Sequence, residues 1–207
     1  MPNLFVLWLV TVMVSLAPPR GVKMWDGLTE PQVDGMARYW SVAEDLNTTL
    51  EMEKDNLPFS KGRTAAYLLA IAFYESGFLR GVDYGVGKHG KGDFGRSACL
   101  LQIQVGRSHT PEGWSMEDLL ADRTKCFRRG LTILKASLGA CARNAPEHRL
   151  AVYASGSCDK GHLESASRVH LAERIATRRK PKPALPVAPS VPEAAAPVAT
   201  LETRAQP

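Results

Sequence analysis

A carboxylic acid stands where an amphipathic helix should be apolar. In TAAYLLAIAFYESGFLR, residues 64–80, Leu68, Ile71, Ala72 and Glu75 fall at offsets of three and four and so share one helical face. Acids in such helices usually lie on the wet face. Glu75 lies on the dry one, in the last turn, just before Gly77, a helix stop. Apolar surroundings and the negative end of a helix dipole both help a carboxyl keep its proton, which is what a general acid needs. The competing reading is a buried glutamate satisfied by a neighbouring arginine or a backbone donor.

The segment after this helix is rich in glycine, with Gly81, Gly85, Gly87, Gly90, Gly92 and Gly95, and runs into RSACLLQIQ, residues 96–104. By letter, Gly85, Gly87 and Gly90 match a dinucleotide fingerprint, and Gly85 to Lys91 matches most of a phosphate loop. Both motifs need a strand before them and a helix after. Here a helix comes first, and Gly92 follows Lys91 in place of Ser or Thr, so both are rejected. The loop reads either as plain surface or as a hairpin whose glycines let the backbone approach a sugar polymer.

Glu75-Ser76-Gly77, followed by Leu100-Leu101-Gln102-Ile103, resembles the lytic transglycosylase and goose-type lysozyme superfamily, which carries an E-S pair at a helix end and G-L-M-Q-I/V across the cleft. Cys99 stands at the family's Gly and Leu101 at its Met, while Gln102 and Ile103 match. Val152-Tyr153-Ala154-Ser155-Gly156 is similar to the family's A-Y-N-x-G, with Ala154 in place of Asn. Between them, Leu120-Ala121-Asp122 through Gly130 to Leu134 resembles the family's L-x-D-P-x-x-N-I-x-x-G-x-x-x-L helix, with Cys126 in place of Asn. The resemblance spans roughly residues 60 to 175.

It implies a mainly α, lysozyme-like (α+β) domain in which Glu75 protonates the oxygen between N-acetylmuramic acid and N-acetylglucosamine. In the transglycosylases the same carboxylate then draws the muramoyl 6-hydroxyl into a 1,6-anhydro ring. It also implies substrate contacts from Ser76, Gln102 and Tyr153, with no metal and no cofactor. Each has a plainer reading: a helix-end hydrogen bond for Ser76, a core aromatic for Tyr153. A buried Gln102 among apolar neighbours needs a polar partner, which fits a cleft. Hydrolysis would usually need a second acid. Asp83 and Asp93 are the possibilities, and Asp93 reads first as a turn aspartate capping backbone amides.

The rest of the 207-residue chain must position these groups. Its composition, 44% hydrophobic and 23% charged, is that of a globular protein. The net charge of +5 is compatible with nucleic acid, an anionic membrane or an anionic wall polymer. Nucleic-acid binding would rest only on that charge and on Arg128-Arg129 and Arg178-Arg179-Lys180, and is not expected. The 4 cysteines, Cys99, Cys126, Cys141 and Cys158, form no C-x-x-C pair. Two disulfides are expected, and three pairings are open. The 5 histidines show no ligand spacing and are assigned to solvent or structure.

Residues 1–21 read as a signal peptide or N-terminal hydrophobic segment, outside the fold and capable at most of transient membrane contact. Residues 22–179 read as one helical domain with a small glycine-rich hairpin or loop lining the cleft. Residues 180–207 are Pro/Ala-rich and read as a disordered tail. Within the domain, 22–26 reads as a connector, and Thr29 as an N-cap ahead of Pro31. Val33, Met36, Ala37, Trp40 and Ala43 define the dry face of a helix to about Asn47. Ser115 and Asp118 form a capping box opening one long helix to Leu138. Further helices begin at Leu150 and Ser165. The expectation is a monomer exported to the periplasm or cell envelope, or phage-encoded and acting there. It cleaves peptidoglycan glycan strands, with a hydrolytic lysozyme or a non-catalytic wall-binding protein as the alternatives.

Overall fold

The computed structural model describes residues 3–19, 32–87, 90–106 and 108–178. The connector, the Thr29 N-cap, both domain boundaries and the Pro/Ala-rich tail lie outside them.

The chain is mainly helical. Its central element is α3, Lys61–Ser76. Every residue from Thr64 to Ala72 is at most 1% exposed, so this helix is dry on all sides and not on one face alone. Its small residues, Ala65, Ala66, Ala70 and Ala72, let neighbours close in, while Leu68, Leu69 and Ile71 each contribute about 1.5–3 kcal/mol by burial. Gly77 ends it in the left-handed conformation, its N–H returning to Phe73, as expected.

The principal neighbour of α3 is α8, His162–Ala176. Glu173 ties the two, accepting from Arg63 Nη2 at 2.6 Å and from the Tyr67 hydroxyl at 2.6 Å. Burial and the Glu173 carboxylate push the Tyr67 hydroxyl up to about 12, which keeps it a donor.

The second helix, α2, spans Gln32–Met52, a turn longer than expected. Its dry face is Gly35, Arg38, Tyr39, Val42, Ala43, Leu46, Thr49 and Leu50. Val33, placed on that face by periodicity, is 68% exposed. Arg38 turns the helix: buried at 5% exposure, it donates to the Phe78 carbonyl at 2.8 Å and pairs with Asp83 at 3.5 Å.

The N-terminal segment is not outside the fold. Leu4–Leu16 forms α1 and packs on α2 and α3, burying Val6, Trp8, Leu9, Val10, Val12 and Met13. Tyr39 donates to the Ala17 carbonyl at 2.8 Å. A helix apolar all round satisfies a protein core as well as a lipid or an export channel, so local sequence does not choose between them. Among the described residues no helix is long and apolar enough to cross a membrane.

The expected long helix is two, because Asp122 leaves helical geometry and caps a new start. Met116–Ala121 is α5, opened by the capping box of Ser115 and Asp118. Arg123–Ala140 is α6, with the Asp122 carboxylate accepting from Thr124 N–H at 2.9 Å. A short helix not expected from sequence, α4, covers Arg80–Tyr84. Asp83 within it is fully buried and is gripped by Arg123 at 2.7 and 2.8 Å, while Arg123 also reaches Asp45 at 3.1 Å. Asp83 therefore fastens α4 to α2 and α6 and is withdrawn as a second acid.

The expected hairpin is short: β1, Ser97–Ala98, pairs antiparallel with β2, Ile103–Gln104, Ser97 opposite Gln104. The last short helix, α7, is Ala151–Ser155. The disulfides join Cys99 to Cys126 and Cys141 to Cys158. Both bonds fit an oxidising compartment.

Candidate active-site cleft

The last turn of α3, the β1–β2 hairpin, Gly106, the segment His109–Pro111, α6, α7 and α8 meet around an open cleft of about 960 Å³. Glu75, Gln102, Tyr153 and Asp93, drawn from four separate parts of the chain, all line it.

Glu75 is half-buried, with 21% of its side chain exposed. It is not isolated among apolar groups as expected. Arg168 of α8 donates from Nη2 to Glu75 Oε1 at 2.6 Å. Arg168 is itself 10% exposed, donates from Nη1 to the Glu164 carbonyl at 3.0 Å, and lies over the Tyr74 ring at 5.3 Å. Its Nε is buried without a hydrogen-bond partner. The guanidinium is thus held from three sides and presents a fixed donor to one carboxylate oxygen. Among the described residues no donor reaches Oε2.

Sequence reasoning missed Arg168. A signal for it existed: Ser165, Arg168, Val169, Ala172 and Ile175 form the dry face of α8, so Arg168 is a charge where the helix should be apolar, the same anomaly that singled out Glu75. Opposite charges on two dry faces of one core must meet or be left unpaired at high cost.

Gln102 reaches the cleft through an unusual backbone. Its φ is +47°, and that of Cys99 is +62°, the left-handed region that costs a residue with a side chain roughly 1 kcal/mol or more. The family pattern has Gly at the Cys99 position, where such a φ is free. In this chain the disulfide to Cys126 of α6 holds Cys99 in place. Gln102 Nε2 donates to the Cys99 carbonyl at 3.1 Å, and its amide oxygen packs against Gly92. A Cβ at residue 92 would fall 1.8 Å from Gln102 Oε1. Gly92→Ala therefore displaces a flexible side-chain end and not the backbone. We expect nearly unchanged thermal stability, but about a tenfold loss in the activity proposed below as the Gln102 amide is displaced. A thermal melt beside a turnover assay distinguishes the two.

Tyr153 donates its hydroxyl to the Leu101 carbonyl at 3.0 Å, linking α7 to the segment that carries Gln102. Burial raises the ionisation of this hydroxyl well above the ordinary phenol range, and the Glu75 charge raises it further. It stays a neutral donor close to Glu75.

Asp93 is exposed, and its Oδ2 accepts from Ser97 Oγ and from Gln104 Nε2, the latter at 3.2 Å. These two bonds hold its carboxyl below the usual range. Asp93 is thus an ionised clamp of the hairpin turn at the cleft edge, unsuited to donating a proton. Ser76 does not line the cleft. It is 5% exposed, donates to the Ala72 carbonyl at 2.7 Å and receives Phe78 N–H at 3.3 Å, so it closes the helix and the expected substrate contact is corrected. His109, assigned to solvent or structure, is in the cleft lining, with Nδ1 2.8 Å from Ser108 Oγ.

The arrangement offers one carboxyl with a free oxygen, an opposing amide, a neutral hydroxyl and a fixed guanidinium along an open groove, which suits acid–base cleavage of an extended polar chain. No protein family, no curated protein and no solved structure matches the chain.

Proposed function

We propose that this protein cleaves the glycan strands of peptidoglycan at the β-1,4 bond between N-acetylmuramic acid and N-acetylglucosamine, as a lytic transglycosylase. The observation that carries the reading is the meeting of Glu75, Gln102 and Tyr153 in one open cleft, the three positions at which the sequence resembles that superfamily.

The chemistry follows from the Arg168 contact. With Oε1 accepting from a guanidinium, a proton on the Glu75 carboxyl resides on Oε2. Oε2–H donates to the glycosidic oxygen as the C1–O bond breaks and the sugar passes through an oxocarbenium-like state. The carboxylate left behind takes the proton of the muramoyl 6-hydroxyl, whose oxygen attacks C1 and closes the 1,6-anhydro ring. One proton leaves Glu75 and one returns, and Arg168 balances the charge between the two steps. Tyr153, bonded to the Leu101 carbonyl, holds the cleft wall, and the second Nε2–H of Gln102 donates to the strand.

Asp93 favours a second reading. An ionised carboxylate at the cleft edge could direct a water to C1, and the reaction would then be hydrolysis. Digestion of purified sacculi followed by mass analysis of the sugar ends separates the two: anhydro ends are expected, and reducing ends would move the assignment to Asp93-assisted hydrolysis. Export to the cell envelope is part of the proposal and agrees with the two disulfides.

A further inference from the structure

Phe94 is the most exposed large apolar residue described, with its side chain wholly in solvent. It sits on the turn between Gly92 and Gly95, with φ +57°, directly after Asp93 at φ +49°. Two successive non-glycine residues in the left-handed region are unusual, and a bulky aromatic there is worse. The surrounding structure enforces the turn. Ser97 and Gln104 bind the Asp93 carboxylate, and the Arg96 side chain binds the Asp93 carbonyl at 3.2 Å. Gly92 is bridged to Ser97.

A ring fully in water contributes nothing to the core, and its backbone conformation costs stability. Glycine would fit the position better on both counts, as Gly95 beside it does at φ +84°. A residue that costs the fold and does nothing for it is a candidate for function. The same turn brings Asp93 to the cleft that holds Glu75, Gln102 and Gln104. The strand proposed for that cleft is a chain of pyranose rings, whose C–H faces are apolar and stack on aromatic rings. In sequence Phe94 is flanked by Gly92, Asp93, Gly95 and Arg96, a single ring in a polar stretch and not one of a run of apolar residues.

We propose that Phe94 is a stacking platform for a sugar ring of the glycan strand flanking the cleft, held rigid by the Asp93 clamp. The inference rests on the peptidoglycan reading above. It also assigns Asp93 a positioning role through Phe94.

The test uses the full chain with Glu75→Gln to stop turnover, and compares Phe94, Phe94→Gly and Phe94→Trp for binding to purified sacculi and to phosphatidylglycerol vesicles, with a thermal melt of each. Phe94→Gly is expected to melt a few degrees higher, because the strained φ becomes free, yet to bind sacculi about tenfold more weakly, the loss of one stacked ring. Phe94→Trp is expected to retain binding. Unchanged sacculus binding by Phe94→Gly overturns the inference, as does a loss seen on vesicles instead. Neither result touches the cleavage reading, which fails separately if the chain with Glu75 intact leaves sacculi undigested.

Discussion

Glu75→Gln is expected to lower sacculus digestion by about a thousandfold, within the range of general acid–base catalysis for a group used in both halves of the reaction. The substitution is nearly isosteric. Its carbonyl oxygen can still accept from Arg168 Nη2, so cleft geometry survives. What disappears is the transferable proton on Oε2. The effect on the fold is smaller: the amide oxygen still accepts from Arg168 Nη2, and the weaker acceptor costs about 1–2 kcal/mol. Initial rates and thermal melts on the same preparation separate chemistry from stability. A Glu75→Gln variant that digests sacculi at the wild-type rate would falsify the acid–base assignment. If neither form digests them while both bind, the chain is a wall-binding protein.

Arg168→Lys gives a finer reading. Lysine keeps the charge but not the planar fork held by Glu164 and Tyr74. A drop in kcat of about tenfold with KM little changed is expected if Arg168 orients the carboxyl. A change confined to KM would make it a substrate contact instead.

Removing the Cys99–Cys126 bond is the second large effect. The bond closes a loop of 27 residues, which corresponds to about 3–4 kcal/mol of unfolded-state entropy. Its effect on the cleft should be as large, because the bond pins Cys99 at φ +62° three residues before Gln102 at φ +47°. In the Cys99→Ser/Cys126→Ser variant both residues are free to relax toward ordinary φ, and Gln102 leaves the cleft. Most digestion should then be lost even under conditions where the variant is folded. The variant Cys99→Gly/Cys126→Asn, which introduces the residues that the resembled superfamily carries at both places, should recover activity above the double serine variant, since glycine accepts the left-handed φ without a covalent anchor. The Cys141–Cys158 bond has a sequence separation of 17 and closes the loop that carries α7 and Tyr153. Its removal should cost about 3 kcal/mol and leave Gln102 in place. Denaturant melts and initial rates for the three variants give the comparison, and full digestion by the folded Cys99→Ser/Cys126→Ser variant would refute the anchoring role.

Much of this was legible locally. The end of α3 at Gly77, the Ser115–Asp118 capping box and the helical class depend on spacing and on residues within one turn of one another. The break at Asp122 is not legible in sequence, because a cap and a mid-helix acid look alike there; only the fold turns the carboxylate back on Thr124 N–H. On α2, the burial of Arg38 has its cause outside the helix, because its partners at Phe78 and Asp83 lie some forty residues away. The apolar run Leu4–Leu16 was set aside because apolar burial has no direction and is satisfied by membrane or core alike.

The sequence by itself determined the helical framework, the acid at the end of its central helix and the even set of cysteines, all of which follow from period, capping and composition. Only the tertiary structure decided that Cys99 bonds Cys126, that Arg168 grips Glu75, that Asp83 is a buried tie and that Ser76 turns inward. Each of these joins residues distant in the chain, and an ion pair or a disulfide forms only where folding brings two groups within a few ångströms, a distance that no local pattern encodes.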